Sequence, residues 1–537
     1  MSFTLGEDVL NIIERHNTTP RICFFLSIFA GRIEVVLHSF DLGIKHFPYT
    51  PPAKRKQHPI MNKKLTFIIV ALIVFVLTGC GKDEKSSSGN DTYTVPEQNL
   101  VEITRIDTFD PKEMPEAIST SNLAKFYIED EEGRQMFNTA FNTILHNRLY
   151  ILDTLFSGRK IPIGYRRDWS VKSLIFTYRS LSAAGKPIVL SGRVSFPQSN
   201  TDAPHEVQSL SLFTHFLLHT TNQAPSEEIS PLVMRTLYNS AVIEPDFEGY
   251  GVTKGQPFPG FSFAVQARQM ADCIRAALAA MQQHGITLAP DGYSTAWGGS
   301  LATPGVMAFV RHYDQELTQK ERDNIRLKSA FMGCGPMLLR DMVEYFDAHP
   351  EYGASGLCYL TGFLAPLPKA DFGGYALQDF LPKWIHTHQL TIDGETMTYY
   401  EAHLRNLLML SDHPDDIDIS LLKNNLAEDM CTANGHLDLS NPKTQLLLNL
   451  IQRLSNWGGW QPQEDVYLTH SRSDRVIPYP QAETFSNKFK DCEKFHFKPI
   501  HTRILDDVVA SHTSSTLICL ILSVLHEDPA MAYRMVP

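Results

Sequence analysis

Apolar and polar positions alternate from Leu174 to Pro197 on both sides of a Gly-Lys-Pro turn, and this period of two predicts a β-hairpin. Two short apolar runs of buried-strand length follow, SLSLFTHFLL near 209–218 and NSAVIEPDFEGYG near 239–251. Between them, and again over FAVQARQMADCIRAALAAMQQHG, apolar residues recur at helical spacing, and the second helix stops at Gly285. The alternation continues through GYSTAWGG, a helix, and RLKSAFMGCGP near 326–336. It then breaks, and from about Leu338 to Trp460 helical and loop signals dominate. Strand-like runs resume with EDVYLTHSRSD at 464–474, a helix after Pro480, FHFKPI at 495–500 and a closing helix from Ser514 to His526.

Strands that alternate with helices predict a mostly parallel sheet covered on both faces. A hairpin leading into such a sheet, with a helical insertion late in the strand series, predicts the α/β-hydrolase plan. Residues 101–337 and 461–537 form the sheet-bearing domain in this scheme, and 338–460 a helical cap. No internal repeat is apparent.

The segment MNKKLTFIIVALIVFVLTGC, Met61 to Cys80, has lysines first, an apolar run from Leu65 to Leu77 and then small residues. That is the build of an export signal, 61–79, and its run is too short for a spanning helix. LTGC resembles a bacterial lipobox, in which cleavage leaves Cys80 to carry the lipid. Export signals stand at an amino terminus, so residues 1–60 are expected to be an upstream extension from a start codon assigned too early, with Met61 the true start. Residues 80–100 are polar and charged without an apolar period, as a flexible tether is. Asp83 and Glu84 behind the lipid cysteine resemble the surface-export signal of some Gram-negative lipoproteins. The expectation is a lipid-anchored protein of the cell envelope, on the outer membrane and exposed at its surface.

Composition adds exclusions. The 537 residues are 43% apolar, enough to bury a large core, and carry a net charge of −11. Without the first 79 residues the balance is 39 basic to 54 acidic. Nothing in this charge would neutralise a run of phosphates, so nucleic acid is excluded as a partner. The eight cysteines are scattered, with no CxxC and no zinc spacing, so no metal or cofactor is expected.

DGYSTAWGGSLATPG holds two serines that could sit on a nucleophile elbow, the sharp strand-to-helix turn that exposes a serine hydroxyl. With Ser294 at the turn, Pro290 would fall inside a central strand, where it cannot donate a ladder hydrogen bond. Its helix would then meet Gly298, Gly299, Pro304 and Gly305, and an interior proline alone costs roughly 3 kcal/mol. With Ser300, the strand becomes YSTAW, Gly298 and Gly299 make the turn, and the helix starts at Leu301. Pro304 then lies in the first turn, where amides have no intrahelical acceptor. Ser300 is therefore the expected nucleophile, in a G-x-S-x-A elbow, with Ser294 the alternative.

A serine needs a base, and the base an orienting carboxylate, in the chain order Ser, Asp, His for this plan. Asp474 stands just past a strand end in VYLTHSRSDRVIPYPQAETF, and His512 lies in a polar loop before the last apolar helix. His470 is closer to the strand interior and reads as a strand-end histidine; Asp506 and Asp507 are reserve carboxylates. Two backbone N–H groups must face the developing alkoxide. One is expected from Leu301 and the other from the HTTNQAPS loop, where His219, Thr220 and Thr221 stand.

Several of these stretches together resemble bacterial lipoproteins of the α/β-hydrolase superfamily related to secretory lipases and prolyl-oligopeptidase-like esterases. IEPDFEGYGVTKGQPFPGF is similar to the family's D-x-x-G-x-G loop, at Asp246, Gly249 and Gly251. THFLLHTTNQAPS is similar to the oxyanion segment, with Thr220 where glycine is usual. AWGGSLAT is similar to the elbow, with Ala302 in place of the last glycine. The resemblance runs from about residue 170 to the carboxyl end. It implies a metal-free serine hydrolase that works through an acyl-enzyme on a small-molecule, lipid or glycan ester, with the cap aromatics Phe346, Phe363, Phe372, Tyr375 and Trp384 shaping the pocket. A hydrolase fold that binds a lipid or glycan without chemistry, and an exported serine peptidase, are the alternatives.

Overall fold

The computed structural model describes residues 99–110, 169–199, 203–215, 221–349, 369–392, 394–404, 426–472 and 476–500, with 113, 218, 364, 367, 474 and 512. The expected upstream extension, export signal and lipid-bearing Cys80 lie outside them. So does nearly all of the expected tether, whose last residue, Leu100, opens a strand.

In chain order the elements that frame the site are β1 (Leu100–Phe109), β2 (Trp169–Leu181), β3 (Pro187–Ser199), β4 (His205–Phe213), β5 (Ser240–Pro245), α1 (Phe263–Gln283), β6 (Ile286–Gly299), α2 (Ala302–Gln315), α3 (Gln319–Ile325) and β7 (Leu327–Gly333). After these come α4 (Leu339–Ala348), a small ribbon of β8 (Gln389–Ile392) and β9 (Glu395–Thr398), α5 (Tyr399–Leu404), α6 (Pro442–Leu454), β10 (Asp465–Ser471), α7 (Tyr479–Asn487) and β11 (Phe495–Ile500).

Nine strands form one sheet in the order β1-β2-β3-β5-β4-β6-β7-β10-β11. The pairs from β1 to β5 are antiparallel, and those from β5 through β11 are parallel. This is the α/β-hydrolase fold, with β1 as an added edge strand. The predicted hairpin is β2 and β3, closed where the Ser182 amide donates to the Lys186 carbonyl and Gly185 takes φ +72°. Strand β5 is buried along its whole length, as a strand covered on both faces must be.

Helices α1 and α2 pack side by side on the sheet. At their contact a Cβ on Gly305 of α2 would stand 2.6 Å from Oε1 of the buried Gln266 of α1, whose side chain fills the space. On β6, β7, β10 and β11 the rings of Trp297, Phe331, Tyr467 and His496 occupy matching register positions and form a row with centroid spacings of 4.7, 5.1 and 4.6 Å. Stacked and tilted rings across neighbouring strands add to the ladder hydrogen bonds.

The strand before the elbow is longer than YSTAW. It runs from Ile286 and takes in Pro290, which was expected to interrupt it. The proline is tolerated because pairing with β4 skips from Val207–Leu288 to Ser209–Tyr293, leaving 289–292 without a β4 partner. The Arg326 guanidinium donates to the carbonyls of Ala289 and Pro290 at 2.7 and 2.5 Å.

Between β7 and β10 the described residues hold α4, several 3-10 turns, the β8–β9 ribbon, α5 and α6, so the segment expected to be helical also carries a hairpin. Its two ends meet: the Trp457 indole donates to the Met337 carbonyl at 2.6 Å, and the Leu339 amide to Ser455 Oγ at 3.2 Å. Gln481 on α7 braces the same root, accepting from the amides of Met337 and Leu338 and donating to the Gly335 carbonyl. Among the described residues, Cys273, Cys334, Cys431 and Cys492 stand outside any disulfide.

Candidate active site

Ser300 sits between the end of β6 and the start of α2 with φ +54°, a left-handed conformation uncommon for a residue with a side chain. Such strain is what a strand-to-helix elbow imposes on the residue it presents. The turn is held from below: the Ser300 amide donates to the Gly333 carbonyl at 2.8 Å, and Thr303 Oγ1 donates to the same oxygen at 2.8 Å. Small neighbours are required. A Cβ on Gly298 would stand 2.7 Å from Val306 Cγ2 and 3.0 Å from Ala302 Cβ, and one on Gly335 would collide with Thr303.

The residues singled out in the sequence come together here. Ser300 Oγ lies 2.8 Å from His512 Nε2, and His512 Nδ1 lies 2.7 Å from Asp474 Oδ2. A carboxylate can only accept, so Nδ1 carries the imidazole proton, and Nε2 is left to accept from the serine hydroxyl. The second Asp474 oxygen accepts from the amides of Val476 and Ile477, both at 2.9 Å. Burial pushes the Asp474 carboxyl up, but the charge and hydrogen bond of His512, with help from His470 and Ile477, outweigh it and hold the group below its ordinary range. Asp474 is thus an anion in a dry site, aimed at the imidazole.

Ser294, the alternative nucleophile, lies elsewhere. It is fully buried in β6, its hydroxyl donates to the Ile325 carbonyl, and its amide to that of Arg326. Leu301 has φ −56° and ψ −27° and immediately precedes α2, so its N–H is among the first-turn amides without an intrahelical acceptor. Thr220 and His219 lie outside the described residues, as do Asp506 and Asp507.

The D-x-x-G-x-G loop is organised around a buried carboxylate. Asp246 is buried, accepts from Ser191 Oγ at 2.5 Å and from the Ser226 amide at 2.8 Å, and is pushed up by burial against the pull of these bonds. Gly251, at φ +54°, has no room for a Cβ beside that carboxylate. His215 bonds the Asp246 carbonyl at 3.0 Å within a ring of Phe247, Tyr250 and Phe258, and the Tyr250 hydroxyl donates to the Leu218 carbonyl at 3.2 Å. His215 carried no motif of its own, so its tie to this loop was not visible in the chain.

Cys334, His470 and Asp474 bring ligand atoms within 4.8 Å of one another. Asp474 is committed to His512 and two amides, and His470 Nε2 to the Ile477 carbonyl at 2.9 Å. The set is therefore occupied by its own hydrogen bonds and is a poor metal cage.

No protein-family model matches the chain, and no curated protein matches it. Solved structures do. A ligand-bound form of the rice cell wall degrading esterase LipA from Xanthomonas oryzae superposes with a TM-score of 0.53 at 17% identity, covering 71% of this chain and 94% of that one. Another crystal structure of the same esterase gives 0.51 at 17% identity, covering 70% and 94%. At this identity the likeness is one of fold, and it agrees with the strand order: the chain has the α/β-hydrolase fold.

Proposed function

We propose that this protein is a serine hydrolase that cleaves carboxylic esters through an acyl-enzyme. The observation that carries the proposal is the hydrogen-bonded run Ser300–His512–Asp474, with the proton positions that its acceptors require. His512 Nε2 takes the hydroxyl proton as Ser300 Oγ attacks the ester carbonyl, and later returns it to the leaving alcohol. Asp474, already an anion, stabilises the imidazolium and keeps Nδ1 protonated. The Leu301 amide supplies one donor to the tetrahedral oxyanion, and the loop after β4 supplies the second.

An ester substrate is favoured over a peptide because no charged anchor for a peptide terminus is recognisable in the chain. The fold shared with a rice cell wall degrading esterase supports the same choice. The build of residues 61–80 supports a lipid anchor on Cys80 and a place on the cell envelope, facing small, lipid or glycan esters.

Labelling the purified protein with a fluorophosphonate tests the chemistry. An adduct is expected on the wild type and none on Ser300→Ala; no adduct, or one that survives that substitution, would leave only a ligand-binding hydrolase fold. Cleavage of short p-nitrophenyl esters but not of aminoacyl anilides is expected, and the reverse would make the protein a peptidase. Incorporation of labelled palmitate into the wild type but not Cys80→Ala tests the anchor.

A further inference from the structure

His470 is fully buried near the end of β10, one face of its ring edge-on to Tyr479 at 6.1 Å, and Arg472 lies over the Tyr479 ring. Its Nε2 is 2.9 Å from the Ile477 carbonyl, which can only accept, so Nε2 bears the proton. Nδ1 has no hydrogen-bond partner among the described residues, and burial holds the ring below its ordinary pKa, so the imidazole is neutral. Ile477 is consequently gripped at both ends of its own backbone: its carbonyl by His470, and its amide by Asp474 Oδ1 at 2.9 Å. The His470 N–H also lies 3.9 Å from Asp474 Oδ2, close enough for its dipole to favour the carboxylate but too far to draw it from His512 at 2.7 Å.

We infer that His470 is a positioning residue for the acid loop: by tying Ile477 back to β10 it aims the Asp474 carboxylate at His512. Resting on the esterase reading of this site, the inference gives a role to a histidine that touches neither substrate nor Ser300. Among the described residues, the titratable groups beside the carboxylate are His512, His470, and Cys334 from the loop after β7. His470, held neutral by burial, carries no charge that could replace the lost alignment.

The test is steady-state ester hydrolysis by the full chain, with active sites counted by fluorophosphonate. His470→Leu is expected to lower kcat about 100-fold per titrated site with KM within about twofold, since a small misplacement in such a site costs that much. His470→Gln, whose Nε2 can still reach the Ile477 carbonyl, is expected to restore most of kcat. Should the leucine variant not fold, His470→Asn, too short to reach that carbonyl, is expected to show the same loss of kcat with KM within about twofold. Wild-type kcat per site in the leucine and asparagine variants, or a loss that Gln does not rescue, would overturn the positioning role while a labelled, active wild type keeps the esterase reading. A wild type that forms no adduct would overturn both.

Discussion

A Cβ placed on Gly298 would stand 3.0 Å from both the Cβ and the carbonyl oxygen of Ala302 and 2.7 Å from Val306 Cγ2, so the first small residue of the elbow has no room for a side chain. The usual motif has glycine at both places. Here one methyl group already fills the gap between strand and helix, and Val306 closes it from the other side. Gly298→Ala is expected to destabilise the protein by about 1–3 kcal/mol, the usual cost of overpacking, and to lower kcat as Ser300 shifts. Ala302→Gly is expected to keep activity and cost less than about 1 kcal/mol, the helix-propensity difference. Denaturant unfolding and ester kinetics on the two variants check this.

The two serines should separate cleanly. Ser300→Ala removes the nucleophile and is expected to abolish ester cleavage. Ser294→Ala leaves the Ile325 carbonyl without its buried donor and is expected to cost about 1–3 kcal/mol while most of kcat remains. Activity per folded molecule, measured below the melting transition, distinguishes the outcomes.

Asp474→Asn tests the proton positions. The Val476 and Ile477 amides need an oxygen, so the asparagine amide nitrogen must face His512 and donate to Nδ1. The imidazole then carries its proton on Nε2 and can no longer accept from Ser300; kcat is expected to fall by about 10⁴-fold with KM little changed.

The same carboxylate couples stability to acid. Its folded pKa is depressed below the unfolded value, so its contribution is complete above the unfolded carboxylate range and is lost as pH falls through the folded pKa. The stability gap between wild type and Asp474→Asn is therefore expected to narrow as pH drops below about 4. Unfolding curves at neutral and acid pH measure it.

Glu244 acts in the opposite sense. Fully buried beside Arg193, it is pushed up to about 7 by burial, against the pull of Ser230 and Arg193. The unfolded chain ionises it earlier, so its cost to stability begins above about pH 4.5 and is complete above about pH 7. Glu244→Gln is expected to gain stability relative to wild type on going from pH 5 to pH 8, which parallel unfolding curves would show.

Much of this was legible in the chain, for local reasons. Period-two and helical spacing marked the β2–β3 hairpin, α1 and its stop at Gly285, because burial of one face leaves that signature residue by residue. The placement of Gly298, Gly299 and Pro304 selected the turn at Ser300, since backbone sterics act within a few residues. Pro290 was misread for want of a non-local fact: a bulge against β4, with Arg326 covering the loosened carbonyls, makes room for it. β1 left no clean period because both its faces are largely exposed.

What no local pattern holds is contact between distant segments. Ser300 meets His512 across 212 positions, and His512 meets Asp474 across 38. Chain order named the candidates, but only the packed sheet, with β6 and β10 flanking β7, brings their loops to one rim. The tie from His470 to Ile477 is of the same kind, since its direction depends on how the loop folds back onto β10. Residue type sets what chemistry a side chain can do; its partner is set by the topology that closes the long loops between them.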